Sequence, residues 1–255
     1  MIKKNKKLGQ HFLVDHTVID EMLAYITKLA PSQIFEIGPG AGALTKHLTK
    51  KYPVVAVELD ERWCEWLKKH IHCERLQIYQ QDALAYAWES VPKHDMVVGN
   101  LPYQIASELM IGWVKARVSF KSALIMMQKE VADRAMAQPG NSAYGRLTVM
   151  LATYFKAVHC VDVGPEAFDP PPKVQSSVIA LTPLKEPLCD EETLSLLEKI
   201  TAAAFSQRRK KCRHGLKALF SVEAIALCGV DPDMRPQMIT PEQYISLAKQ
   251  LMSRN

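Results

Sequence analysis

Apolar positions recur at helical spacing in VIDEMLAYITKLA (residues 18–30) and then run almost unbroken through QIFEIG (33–38), the mark of a short, fully buried strand. The same exchange repeats along the chain. ALTKHLTKKY (43–52) reads as a helix and VVAVEL (54–59) as a strand, then ERWCEWLKKHI (61–71) as a helix and RLQIYQ (75–80) as a strand. DMVVGN (95–100) and SALIMM (122–127) are strands on either side of helical IASELMIGWVKA (105–116). Two helical stretches follow, QKEVADRAMA (128–137) and GRLTVMLATYF (145–155), and then two late strands, KAVHCVDV (156–163) and SSVIALTPL (176–184). Strands alternating with helices require right-handed crossovers. The expected fold is therefore α/β, with a mostly parallel, doubly wound, Rossmann-like sheet of seven strands. The two late strands lie close enough in sequence to close it as an antiparallel pair.

The rhythm changes at LTPLKEPLCDEE (181–192), where Pro183 and Pro187 flank a short linker. Beyond it only helical spacing remains: ETLSLLEKITAAAF (192–205), LKALF (216–220), VEAIALCG (222–229) and TPEQYISLAKQLM (240–252). Thr240 before Pro241 is a strong helix start, because Thr caps and Pro loses nothing at the first helical position. The expected organisation is a catalytic domain over residues 1–185, with a basic arm at 1–13, and a small all-helical domain over 186–255.

Length and composition, at 255 residues with 48% hydrophobic and 23% charged, fit one large globular domain and one smaller one. With no unbroken apolar run of ~18 residues, a membrane span is not expected. MIKKNKKLGQHFL at the start is basic but lacks the apolar stretch of a signal peptide. The 6 Cys form no CxxC pair, so reduced thiols and a cytoplasmic location are expected. HIHC (70–73) has no second ligand pair at zinc spacing, and no metal is expected. Nor is there a spare apolar stripe for a partner copy, which makes a monomer the expectation.

Net charge is only +5, yet its distribution changes the picture. Lys3, Lys4, Lys6 and Lys7 crowd the first ten residues, and from Lys199 to Val222 there is no acid while Arg208, Arg209, Lys210, Lys211 and Arg213 follow closely. A charge run is commonly just a solvated face. Two basic segments without neutralising acids point instead to a polyanion partner.

FEIGPGAGALT (35–45) follows the first strand of the repeat and opens a helix. Gly38, Gly40 and Gly42 permit tight turning and close approach of backbone to a ligand. Gly38, Gly40 and Ala43 also satisfy a dinucleotide fingerprint, with Glu58 at the expected distance, so glycines alone do not separate nicotinamide from another adenosine cofactor. Glu36 helps, since a carboxylate there would repel a pyrophosphate but suits the cationic amino group and sulfonium of S-adenosylmethionine. Glu58 is placed to accept both ribose hydroxyls, and Asp82 to accept from the adenine amine. The plainer alternative is that Glu58 and Asp82 cap helices.

GNLPYQIAS (99–107) raises a separate question, because Asn and Pro leaving a strand suit an ordinary turn. With FEIGPGAGALT, VELD, QQDAL, MMQKEVADR, FDPPPKVQSSV and AFSQRRKK in that order, however, the chain from about Lys7 onward resembles the ribosomal RNA adenine N6-dimethyltransferases. Within that family it is most similar to the bacterial small-subunit branch. The resemblance implies a class I methyltransferase fold, S-adenosylmethionine as cofactor, and dimethylation of two adjacent adenines near the 3′ end of small-subunit rRNA, with a role in small-subunit biogenesis. It makes GQHFL the cofactor strap, with His11 standing where the family usually has Asn, and Leu13 bordering the cofactor. Histidine still donates one hydrogen bond there, so binding is expected to survive with some pH sensitivity.

The chemistry of the resemblance answers the question. An exocyclic adenine amine is a poor nucleophile because its lone pair is delocalised into the ring. Acceptors aimed at its two N–H bonds, the Asn100 side-chain oxygen and the Leu101 carbonyl, would localise that lone pair, with Asn100 also beside the cofactor and Pro102 stiffening the loop. Tyr103 gives an unstacked base a flat face, and Phe168 resembles the family's second aromatic wall; the alternative for Phe168 is a core phenylalanine under a proline loop. The basic clusters would hold rRNA phosphates, leaving site choice to RNA shape in a two-domain cleft. Competing readings are an adenine methyltransferase of large-subunit rRNA or DNA, whose usual motifs differ from NLPY, and a non-catalytic assembly factor. Retention of both Asn100 and Glu58 argues against the last.

Overall fold

The computed structural model describes residues 10–102 and 104–253. By their contacts they form two compact units, residues up to 132 together with 157–183, and residues 133–156 together with 184 onward.

The first unit carries a seven-stranded sheet. Strands β2 (Ile34–Ile37), β3 (Val54–Glu58) and β4 (Leu76–Gln80) run parallel outward to one side, and β5 (Met96–Asn100) returns to pair with β2 on the other. Beyond β5 comes β6 (Ser122–Gln128), parallel to it, then β9 (Ser176–Pro183), antiparallel to β6, and β7 (Phe155–Val163) at the edge. The reversal between β2 and β5 is the point at which an open α/β sheet forms a ligand crevice at its carboxyl ends. IFEI and VVAVE are buried at every position, as strands covered on both faces must be. Helix α1 (His16–Leu29) starts where the Asp15 carboxylate accepts the Thr17 N–H at 2.8 Å, and α3 (Glu61–His70) where Asp60 accepts from Arg62. A separate two-residue ladder joins β1 (Phe12–Leu13) to β8 (Phe168–Asp169). Periodicity could not forecast a ladder that short.

Of ALTKHLTKKY only α2 (Thr45–Leu48) is α-helical. The glycine loop holds the chain in a turn up to Leu44. The Thr49 hydroxyl then donates to the Thr45 carbonyl at 2.9 Å, and Pro53 prevents continuation. Helix α4 (Ala106–Lys115) and the strands lie where their patterns put them.

The second unit is helical: α6 (Arg146–Ala152), α7 (Glu191–Ser206), α8 (Cys212–Leu216), α9 (Val222–Leu227) and α10 (Pro241–Met252), preceded by the end of α5 (Lys129–Met136). LKALF is thus helix only at Leu216, because the α8 turn begins at Cys212. Residues 133–156, expected with the sheet, group with these helices instead. Tyr144 donates its hydroxyl to the Ile239 carbonyl at 2.7 Å, Arg146 pairs with Glu198 at 2.6 Å, and α6 packs on α7 and α10. Local periodicity reveals α6 but not the neighbour that buries it. Thr240 caps α10 with Pro241 in its first turn, as expected, and Gln243 reaches back to complete a reciprocal cap.

Candidate active site

A cleft opens at the carboxyl ends of β2, β3 and β5, and the register explains its lining: Ile37 lies opposite Val57 on one side and Gly99 on the other. Glu36, Gly38, Gly40, Glu58, Asp82, Asn100, Leu101 and Pro102 all reach it, and so do His11 and Leu13 from the strap that crosses it. Tyr103, Lys3, Lys4, Lys6 and Lys7 lie outside the described residues.

Glu36 is 2% exposed, and its Oε2 has no hydrogen-bond partner. Burial pushes its pKa up to about 7; hydrogen bonding from Thr45 opposes the rise, and the neighbouring Glu58 carboxylate adds to it. A buried, unpartnered carboxylate oxygen lining a cleft is a site for a cationic donor. Glu58 differs: its Oε2 accepts the Gly40 N–H at 3.1 Å and its Oε1 the Asp60 N–H at 2.9 Å. Burial raises its pKa, and those two backbone N–H groups oppose the rise. Each oxygen keeps a second lone pair for a diol. Asp82 accepts from the Leu84 N–H at 2.9 Å, so the capping role is real, and its exposed carboxylate still borders the cleft.

The glycines divide their duties. Gly38 (φ +61°) sits where an added methyl carbon would come 3.8 Å from the Asn100 carbonyl, beside the crevice. Gly40 (φ +51°) is demanded by the strap, because a methyl carbon there would fall 2.6 Å from the Phe12 ring. Gly40→Ala is therefore expected to destabilise the unit by ~2 kcal/mol, from a forced left-handed backbone and overpacking, and to loosen the strap. A denaturant melt followed by Trp63 fluorescence reads this, since the Trp63 and Phe12 ring centroids are 4.8 Å apart. An unchanged midpoint contradicts it.

Asn100 ends β5. Its Nδ2 donates to the His11 backbone carbonyl at 2.9 Å, which fixes the amide orientation and leaves Oδ1 as the acceptor. The Leu101 N–H continues the ladder to the Met126 carbonyl at 2.9 Å, anchoring the backbone that precedes Pro102. Phe168 departs from the expected aromatic wall. It is 3% exposed and packs in the core cluster with Leu13, Val18 and Met22, so the core phenylalanine given as the alternative describes its surroundings. Sequence reading passed over Gln10, whose amide donates to Asp60 at 3.1 Å, and Leu59, an apolar side chain left 51% exposed on the cleft. Leu59 directly follows Glu58, and that position was the available signal.

On the second unit the five cations have different fates. Arg208 donates to the Ser142 carbonyl, and Lys211 and Arg213 each meet a different oxygen of Asp233 at 2.7 Å. The acid that pairs with both comes from beyond the basic run, where a local charge count misses it. Arg209 and Lys210 are exposed and make no pair among the described residues.

No described helix is long and apolar enough to cross a membrane. The family model for ribosomal RNA adenine dimethylase matches residues 1–253. The ribosomal RNA small subunit methyltransferase A of Dechloromonas aromatica (strain RCB) is 37% identical over 247 residues, covering 96% of this chain and 97% of that protein. Among solved structures, a dimethyladenosine transferase from Plasmodium falciparum superposes with a TM-score of 0.79 at 26% identity (93% of this chain, 96% of that one). The 23S rRNA methyltransferase ErmE gives 0.71 at 27% identity (94% and 99%). With its cleft built from the same motifs that order the sequence, and matched over almost its whole length, the chain belongs to the ribosomal RNA adenine dimethylase family.

Proposed function

We propose that this protein transfers methyl groups from S-adenosylmethionine to N6 of two adjacent adenines near the 3′ end of small-subunit rRNA, acting as a cytoplasmic monomer on that RNA or the small ribosomal subunit. The observation that carries the reading is the Asn100 amide, held by the His11 carbonyl so that Oδ1 is an acceptor in the same cleft as the unpartnered Oε2 of Glu36. When bound, S-adenosylmethionine supplies an electrophilic methyl group on a sulfonium. Glu36 takes its cationic amino group, Glu58 its ribose hydroxyls with the lone pairs the backbone leaves over, and Leu59 covers the adenine ring, with Asp82 at the ring's amine. Leu13 closes the strap side. Asn100 Oδ1 and the Leu101 carbonyl accept the two N–H bonds of the substrate amine and localise its lone pair. Tyr103 flanks the target base. Phe168, buried, supports the strap from beneath. The proton released after transfer leaves to solvent.

Arg209 and Lys210 are proposed as the phosphate contacts of the helical unit, with Lys3, Lys4, Lys6 and Lys7 adding charge from the arm. Arg208, Lys211 and Arg213 act there through the backbone and the Asp233 pairs. The double variant Arg209→Ala/Lys210→Ala should weaken rRNA binding and reduce the slope of log K against log[salt] by about 1.4–1.8, at roughly 0.7–0.9 per phosphate contact. Filter binding across a salt series measures it; an unchanged slope removes both residues from the interface.

The reading is tested with small subunits purified from cells lacking this modification, incubated with the protein and tritiated S-adenosylmethionine and mapped by mass spectrometry. Label as N6,N6-dimethyladenine at two adjacent 3′-end positions is expected. Label on large-subunit RNA moves the substrate. Binding without label refutes catalysis and favours an assembly factor.

A further inference from the structure

His11 occupies a junction that neither the glycine loop nor the NLPY turn explains. Its ring Nδ1 lies 2.7 Å from the Pro170 carbonyl, 159 residues away in sequence. A carbonyl only accepts, so Nδ1 carries the hydrogen. Its own backbone carbonyl receives the Asn100 Nδ2 at 2.9 Å. One residue on, the Phe12–Leu13 ladder with Phe168–Asp169 begins, and beyond that the Val14 and Asp15 N–H groups both reach the Ala167 carbonyl, at 2.8 and 3.3 Å. The strap is thus sewn to the 167–170 segment on both sides of the ladder. The stitch made by the residue that itself meets Asn100 is the His11 side chain.

We infer that His11 is a positioning residue for methyl transfer: its Nδ1–H, held by the Pro170 carbonyl, fixes the His11 backbone carbonyl that in turn decides which atom of the Asn100 amide faces the substrate. The inference rests on the proposed role of Asn100 Oδ1 as acceptor. The Asn100 amide has two nearly isosteric orientations, and only an acceptor opposite Nδ2 selects the productive one. Loss of the Nδ1–H donor frees that acceptor to drift, and a flipped amide presents N–H groups to the substrate's own N–H bonds. An asparagine places its Nδ2 donor at the same δ position as the histidine Nδ1, so both satisfy Pro170. Alanine and phenylalanine do not.

The experiment uses the full chain with His11→Ala, His11→Phe and His11→Asn. His11→Ala and His11→Phe are expected to lower kcat about tenfold, the worth of one neutral hydrogen bond, while KM and Kd for S-adenosylmethionine move less than threefold. His11→Asn recovers most of the loss, and all three variants melt close to the parent. Independently of turnover, the Asn100 side-chain amide proton is read by NMR, assigned by its disappearance in Asn100→Ala. It is protected from solvent exchange in the parent and in His11→Asn, and loses that protection in His11→Ala. Undiminished kcat in His11→Ala, failure of His11→Asn to rescue, a loss confined to cofactor affinity, or unaltered amide protection each overturns the inference. Because the amide signal needs no substrate, a parent protein that methylates no adenine refutes the functional reading while the positioning of Asn100 is still decided.

Discussion

Asn100→Ala is expected to reduce the methyl-transfer rate roughly 10²–10³-fold, the cost of deleting one preorganised dipole at the point where charge develops. The alanine keeps the backbone acceptor at Leu101, whose N–H remains tied to Met126, but loses the acceptor for the second N–H of the amine. Binding should suffer much less. The variant sacrifices one contact near the cofactor, about 1 kcal/mol or under tenfold in Kd, and leaves Glu36 and Glu58 intact. Folding loses the Nδ2 bond to the His11 carbonyl, a loss on the same small scale. Asn100→Asp separates the two duties. It keeps an oxygen for the substrate amine but sets a carboxylate against the His11 carbonyl, so it should fall between alanine and the parent. Single-turnover rates at saturating cofactor, alongside calorimetric Kd values, test the ordering. Equal losses in rate and in cofactor affinity would make Asn100 a binding residue only.

Much of this architecture could be read before any coordinates. The alternation of buried strands such as VVAVE with amphipathic helices gives the parallel sheet; Glu58 and Asn100 end their strands and Glu36 lies one residue short of the end of its own, so a doubly wound order brings them to one edge. What escaped was set by contacts distant in sequence. The β1–β8 ladder pairs residues 12–13 with 168–169, too short to leave a period, and its Phe168 packs in the core. Asp233 pairs with both Lys211 and Arg213 from outside the acid-free run. Residues 133–156 hold a recognisable helix, yet it takes contacts distant in sequence, such as the Tyr144 hydroxyl on the Ile239 carbonyl and Arg146 on Glu198, to show which unit buries them. Gly40 looked like a ligand glycine in the motif, and the Phe12 ring gives it a second reason to lack a side chain.

Glu36→Gln is expected to stabilise the ligand-free protein at pH 8 while weakening cofactor binding, because the buried carboxylate is a folding cost kept for a ligand. In the unfolded chain Glu36 ionises at its ordinary 4.5, and in the folded protein it holds its proton to about 7. Below pH 4.5 both states are protonated and the burial is free of charge cost. Between 4.5 and 7 the unfolded chain releases a proton that the folded one retains, so stability falls as pH rises; above 7 the whole cost, about 3 kcal/mol at 1.36 kcal/mol per pH unit, is present. Glutamine removes that cost but sets a neutral amide where the carboxylate meets Thr45 and leaves its second polar atom buried, for a net gain of ~2 kcal/mol at pH 8 and none at pH 4. A cationic donor from the ligand favours the ionised carboxylate. Parent affinity for S-adenosylmethionine should therefore rise by close to tenfold per pH unit below 7 and level off above it, whereas in Glu36→Gln it stays flat and lies ~10–100-fold lower at pH 8, the scale of a lost charge-assisted hydrogen bond. Urea unfolding at pH 5 and 8, paired with calorimetry over the same range, reads both halves. A parent affinity independent of pH, or a variant that binds as tightly at pH 8, would mean that the Glu36 carboxylate is not where the cofactor's cation sits.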